Sequence, residues 1–138
     1  MAWRRGCRPV PTNVSKDFGI DRVPGMIEGH CHCKSVRVGI ARAPETVGDC
    51  NCSVCSRLGV LWGYFETPEV VVRDEGGTLV GYVQGERTLT IHHCRVCGCT
   101  THWSPLPPAS TRMAVNMRLF DRSVWEHIPR RFIDGARW

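Results

Sequence analysis

Cys50-Asn51-Cys52-Ser53-Val54-Cys55 is the stretch from which the fold is read, taken with Cys31-His32-Cys33 before it and Cys94-Arg95-Val96-Cys97 after it. Seven of the nine cysteines fall into these three clusters, and the number of thiolates in a zinc site sets what the site can do. Four thiolates close a tetrahedral zinc, whereas three leave one position open for chemistry. A total of seven therefore predicts one structural zinc and one zinc able to bind something from outside.

The spacings have a physical sense. In a strand, side chains at i and i+2 point the same way, so a C-x-C pair offers two sulfurs to one ion. In a C-x-x-C pair the intervening residues turn tightly and bring both sulfurs round the metal. Cys94-Arg95-Val96-Cys97-Gly98 is such a knuckle, and Gly98 is free to take backbone angles that other residues avoid. Spacing alone leaves open which clusters share an ion. C-x-C with C-x-x-C makes a good set of four, and C-x-C-x-x-C a good set of three.

Around the clusters the chain reads as mostly strand and turn. Val36–Ile40 alternates apolar and polar, the period of a half-buried strand. The runs 58–65 and 69–73 are apolar, and 88–91 and 112–117 alternate. Asp74-Glu75-Gly76-Gly77 is turn chemistry, which predicts a hairpin joining 69–73 to 78–83. A short helix is expected to start at Ser53, and Pro105, Pro107 and Pro108 mark a loop. Residues 1–25 read as an irregular N-terminal extension, and 26–138 as a zinc-binding β domain with a C-terminal tail.

Composition narrows the function. Of the net charge of +5, residues 1–25 and 111–138 each carry +3, and the middle carries −1. Seven thiolates on two Zn²⁺ ions would make that middle more acidic, because coordinated thiols lose their protons. Basic residues at the ends, rather than on one face, make nucleic acid the least favoured partner. No stretch approaches the roughly 20 apolar residues of a membrane span, and the N-terminus lacks the apolar run of a signal peptide. The expectation is a cytoplasmic protein with reduced thiols.

The strings Gly29-His30-Cys31-His32-Cys33, Cys50 through Gly59, Cys94 through Gly98, and Val115-Asn116-Met117-Arg118 together resemble the glutathione-dependent formaldehyde-activating enzyme family, which includes the centromere protein V-like proteins. The resemblance covers roughly residues 26–121. It implies a mostly β fold of the Mss4-like, β-tent type, with several short coiled antiparallel sheets built around zinc sites. It implies a structural zinc on Cys31, Cys33, Cys94 and Cys97, and a catalytic zinc on Cys50, Cys52 and Cys55, two Zn²⁺ per chain. The implied activity is of the carbon–sulfur lyase type, condensing formaldehyde with glutathione to S-hydroxymethylglutathione. Three departures stand out: Lys34 where the family usually has glycine, Cys99 just after the knuckle, and the extension through residue 25.

A three-thiolate zinc carries a net charge of −1, which suits it less to activating water than to holding an incoming thiol as thiolate. The competing reading closes the second site with His30, His32, His92, His93 or Cys99, giving a non-catalytic zinc-stabilised interaction module. Read singly, His32 and His93 alternate with ligand positions and are expected to face away, and His102 is expected as a strand residue, with a substrate-facing role as the alternative. Cys7 is expected as an unliganded surface thiol, and Cys99 as a small buried hydrophobe. Arg57 is the best-placed cation for a carboxylate of glutathione, balanced against an ordinary solvated arginine. Trp62 and Tyr64 are assigned to core packing, with pocket lining as the alternative.

Overall fold

A computed structural model describes residues 24–108 and 110–138. Ten strands and two short helices follow in the order β1 (Ile27–His30), β2 (Arg37–Ile40), β3 (Val47–Cys50), α1 (Ser53–Leu58), β4 (Trp62–Glu66), β5 (Val70–Arg73), β6 (Leu79–Val83), β7 (Leu89–Cys94), β8 (Thr100–Pro105), β9 (Arg112–Asn116), α2 (Arg122–Trp125) and β10 (Arg130–Ile133). The protein is mostly β, consistent with a Mss4-like fold. The strands form a three-stranded sheet, β1-β2-β5, and a seven-stranded sheet, β10-β3-β4-β9-β8-β7-β6. All pairs are antiparallel except one, since β10 runs parallel to β3. The segment expected as a C-terminal tail thus supplies an edge strand.

The core lies between the sheets. Val38 and Ile40 from β2 meet Val47, Leu61, Phe65, Val115, Met117, Phe120, Trp125 and Ile128, all buried. Alternation along β4 and β9 sorts side chains between this core and the opposite face of the large sheet. Phe65 and Val115 point into the core. Trp62 and Ala114 point the other way, into a second cluster with Cys55, Val60 and Ile91, against which Tyr64 and Trp103 pack. One face of these central strands therefore fixes the fold, and the other backs a cysteine site.

The expected hairpin across 74–77 does not form: β5 pairs with β2 in the small sheet, while β6 pairs with β7 in the large one. The turn itself is present, with the Gly77 amide donating to the Asp74 carbonyl at 3.3 Å. The Asp74 carboxylate accepts from the Thr78 amide and hydroxyl and the Leu79 amide, each at 2.8 Å. These bonds start β6 in a new direction, and the chain crosses between sheets instead of doubling back. The apolar run 58–65 is likewise divided, with Leu58 closing α1 and β4 beginning only at Trp62.

Candidate metal centres and an adjoining cavity

Strand ends and turns deliver the clustered cysteines to two places. Cys31 and Cys33 lie on the turn linking β1 to β2, where the Lys34 amide donates to the Cys31 carbonyl at 3.0 Å. Lys34 adopts φ 65°, a left-handed backbone that suits glycine better than lysine. Cys94 ends β7, and Cys97 follows on the knuckle closed by a 2.7 Å hydrogen bond from the Gly98 amide to the Cys94 carbonyl. Gly98 sits at φ 78°, so the knuckle needs a residue without a side chain. The Sγ atoms of Cys31, Cys33, Cys94 and Cys97 all lie within 4.8 Å of one another.

The spacing of these sulfurs fits a metal. Cys33 Sγ is 3.6 Å from both Cys31 Sγ and Cys94 Sγ. A tetrahedron with Zn–S bonds of about 2.3 Å has S···S edges of about 3.8 Å. Burial first, and then the neighbouring Cys33 and Cys97, raise the Cys31 thiol to about 12 against the opposing hydrogen bond from the Val36 amide. Cys97 also loses solvation, but hydrogen bonds from the Cys33 and Cys99 amides and thiols bring it down to about 6. Packed sulfurs that resist joint ionisation call for a cation among them. Cys99 packs against this cluster half-buried and outside the four.

The second place is built by β3 and α1. Cys50 ends β3, Cys52 caps α1, and Cys55 lies within it, with all three sulfurs within 4.8 Å. The Cys55 amide donates to Cys52 Sγ at 3.4 Å. Burial disfavours the Cys52 thiolate, yet this bond and others from Cys55, Cys50 and Val54 hold its pKa below the ordinary value. Burial pushes Cys55 up to about 12, against the opposing hydrogen bond from the Trp62 indole N–H at 3.2 Å. Cys55 is buried, while Cys50 and Cys52 are partly exposed.

Among the described residues, no histidine, carboxylate or further cysteine joins either group. His30 Nδ1 donates to the Cys31 carbonyl at 2.8 Å, and His92 Nε2 shares a 2.7 Å hydrogen bond with the Ser104 hydroxyl. His92 and His102 stack with centroids 4.3 Å apart. Burial and the neighbouring His92 drive His102 down to about 3, so it stays a neutral strand residue. Cys7 lies outside the described residues. Arg57 turns back on its own helix and donates to the Ser53 carbonyl at 2.8 Å.

Sequence reading missed what surrounds the triad. The side chain of Asn51, between two cysteines, donates to Asp134 Oδ1 and accepts from the Ala136 amide, both at 2.9 Å. Gly135 there packs so closely that a Cβ would stand 2.7 Å from Cys50 Sγ. Beside it opens a cavity of about 480 Å³ whose lining includes Tyr64, Arg112, Arg131 and Asp134. Burial first, and then Cys50 and Cys55, raise Tyr64 to about 12, while Arg112 and Arg131 oppose the shift. No local motif announces this wall, because β4, β9 and β10 bring it together from distant parts of the chain.

Fold and sites define a β-rich domain with two cysteine clusters able to hold metal ions. The chain belongs to the glutathione-dependent formaldehyde-activating enzyme family, whose model matches residues 26–132. Among solved structures it is similar to a crystal structure of a Rhodobacter sphaeroides protein, with a TM-score of 0.63 and 24% identity over 76% of this chain and 100% of that one. That likeness concerns the fold. No curated protein matches the chain. No helix among the described residues is long and apolar enough to cross a membrane.

Proposed function

We propose that the protein is a zinc-dependent enzyme of the carbon–sulfur lyase type that adds a small thiol, such as glutathione, to formaldehyde or a related electrophile. In this reading Cys31, Cys33, Cys94 and Cys97 hold a structural Zn²⁺, and Cys50, Cys52 and Cys55 hold a catalytic one. The observation that carries it is a three-sulfur cluster with two partly exposed members and no fourth ligand among the described residues. Bound there, Zn²⁺ supplies the positive charge that favours an incoming thiol as thiolate. The Trp62 N–H occupies one side of Cys55 Sγ and fixes that sulfur's direction. The thiolate sulfur then attacks the carbonyl carbon: a C–S bond forms, the C=O π pair moves to oxygen, and oxygen takes up the proton the thiol gave. The product is S-hydroxymethylglutathione, with atoms and charge balanced. Such thiols persist in a reducing compartment, so we place the protein in the cytoplasm.

The test is calorimetric titration of glutathione into zinc-loaded protein in two buffers of different ionisation enthalpy. Binding with release of about one proton is expected. Absence of glutathione binding refutes the reading and favours a non-catalytic, zinc-stabilised interaction module.

A further inference from the structure

The cavity beside the triad has an uneven set of charges. Arg42, Arg112 and Arg131 line it, opposed by Glu45 and Asp134. Two of these five are already committed: Arg42 pairs with Glu69 at 2.9 Å, and Asp134 with Arg137 at 2.9 Å. Neither Arg112 nor Arg131 has a carboxylate partner among the described residues; Arg112 lies over the Tyr64 ring with its guanidinium carbon 5.3 Å from the centroid. Glu45 likewise has no ion pair among the described residues. Two cations and one anion therefore remain for a ligand.

The cavity adjoins the three cysteines through residues next to them, although none of the three lines it. Tyr64 feels both the Cys50 and Cys55 sulfurs and the two arginines. Ile133 lines the cavity and pairs with Cys50 across the β3–β10 ladder. Asp134 lines it as well and is bonded to Asn51, between Cys50 and Cys52. A volume of about 480 Å³ falls within the roughly 300–1,000 Å³ of small-molecule sites.

We infer that this cavity holds the body of the thiol substrate, and that it selects a thiol bearing two carboxylates and one ammonium. Arg112 and Arg131 receive the carboxylates, and Glu45 receives the ammonium. Guanidinium is the fitting partner because its fork meets a carboxylate with two parallel hydrogen bonds. Glutathione carries this charge pattern. The inference rests on the proposed function for the role of the sulfur, but the charge recognition is separable from it.

Three titrants into zinc-loaded protein separate the two: glutathione, S-methylglutathione, which keeps the charges but has no thiol proton to lose, and 2-mercaptoethanol, which keeps only the thiol. With Arg112→Gln/Arg131→Gln, glutathione and S-methylglutathione should each weaken by about tenfold or more, as loss of hydrogen bonds to charged groups implies. The binding of 2-mercaptoethanol should not move, which excludes a folding defect as the cause. If glutathione binds the double variant as tightly as the parent, or 2-mercaptoethanol weakens in step, the cavity assignment is overturned and the proposed function stands. If S-methylglutathione binds through the arginines but neither thiol binds with proton release, the proposed function fails and the cavity assignment stands. If none of the three binds the parent, both are overturned.

Discussion

Replacing Cys94 with serine removes a buried sulfur from the cluster that joins the turn after β1 to the end of β7. Cys33 and Cys94 are 61 residues apart in sequence, with their sulfurs 3.6 Å apart in space. A cross-link closing a loop of that length is worth about 4 kcal/mol through the chain entropy it removes from the unfolded state. At about 2 cal/mol/K of unfolding entropy per residue, for a chain of 138 residues, this lowers the melting midpoint by about 15 °C. The loss is a floor, since structural zinc can contribute roughly 10–16 kcal/mol of apparent binding energy. The assay is thermal melting by far-ultraviolet circular dichroism on zinc-loaded parent, Cys94→Ser and Cys52→Ser. Cys94→Ser should melt at least about 15 °C lower. Cys52→Ser, altered in the triad, should melt within a few degrees of the parent yet lose the proton release that accompanies glutathione binding. The reasoning is refuted if Cys94→Ser melts with the parent, or if Cys52→Ser falls as far as Cys94→Ser.

Three further outcomes are expected. Gly135→Ala sets a methyl 2.7 Å from Cys50 Sγ, so metal analysis should find the chain retaining one zinc where the parent retains two; full retention of both contradicts the packing. Lys34→Gly relieves the left-handed backbone at φ 65° and, after the entropy cost of glycine, should raise the melting midpoint by about 2–4 °C; a lower midpoint counts against it. His102 is held to about 3 in the fold against 6.5 when unfolded, so the unfolded chain binds the extra proton between those values and stability falls as pH drops through that window. By pH 5 this costs about 2 kcal/mol relative to pH 7, and urea titrations of His102→Phe should lack that component.

Local chemistry and long-range assembly were legible to different degrees. The triad and the knuckle could be read because their ligands lie a few residues apart, and spacing expresses geometry directly. The short helix at Ser53 was likewise visible, since it begins at the second cysteine of the triad. Asp74 through Gly77 read correctly as a turn, but its outcome did not, because the carboxylate bonds that redirect β6 involve no change in turn signature. Arg57 drew attention by proximity in sequence and proved to bond its own helix. Arg112 and Arg131 looked like scattered tail charges, because only the β4–β9 and β3–β10 pairings bring them to one cavity. Tyr64 packs against the second core cluster, as core packing expects, and also lines that cavity, which was the alternative; Trp62 is buried and also bonds Cys55.

The alternation along β4 and β9 has a consequence for how such a protein can change over generations. Phe65 and Val115 belong to the core between the sheets, while Trp62, Tyr64 and Ala114 stand on the side of the triad. Neighbours in sequence therefore answer to different selective demands, one for persistence of the fold and the other for the choice of substrate. A lineage can trade residues at every second position of these strands and acquire a new chemical diet without renegotiating its architecture. A deletion of one residue has no such freedom, because it exchanges the two roles along the whole strand at once.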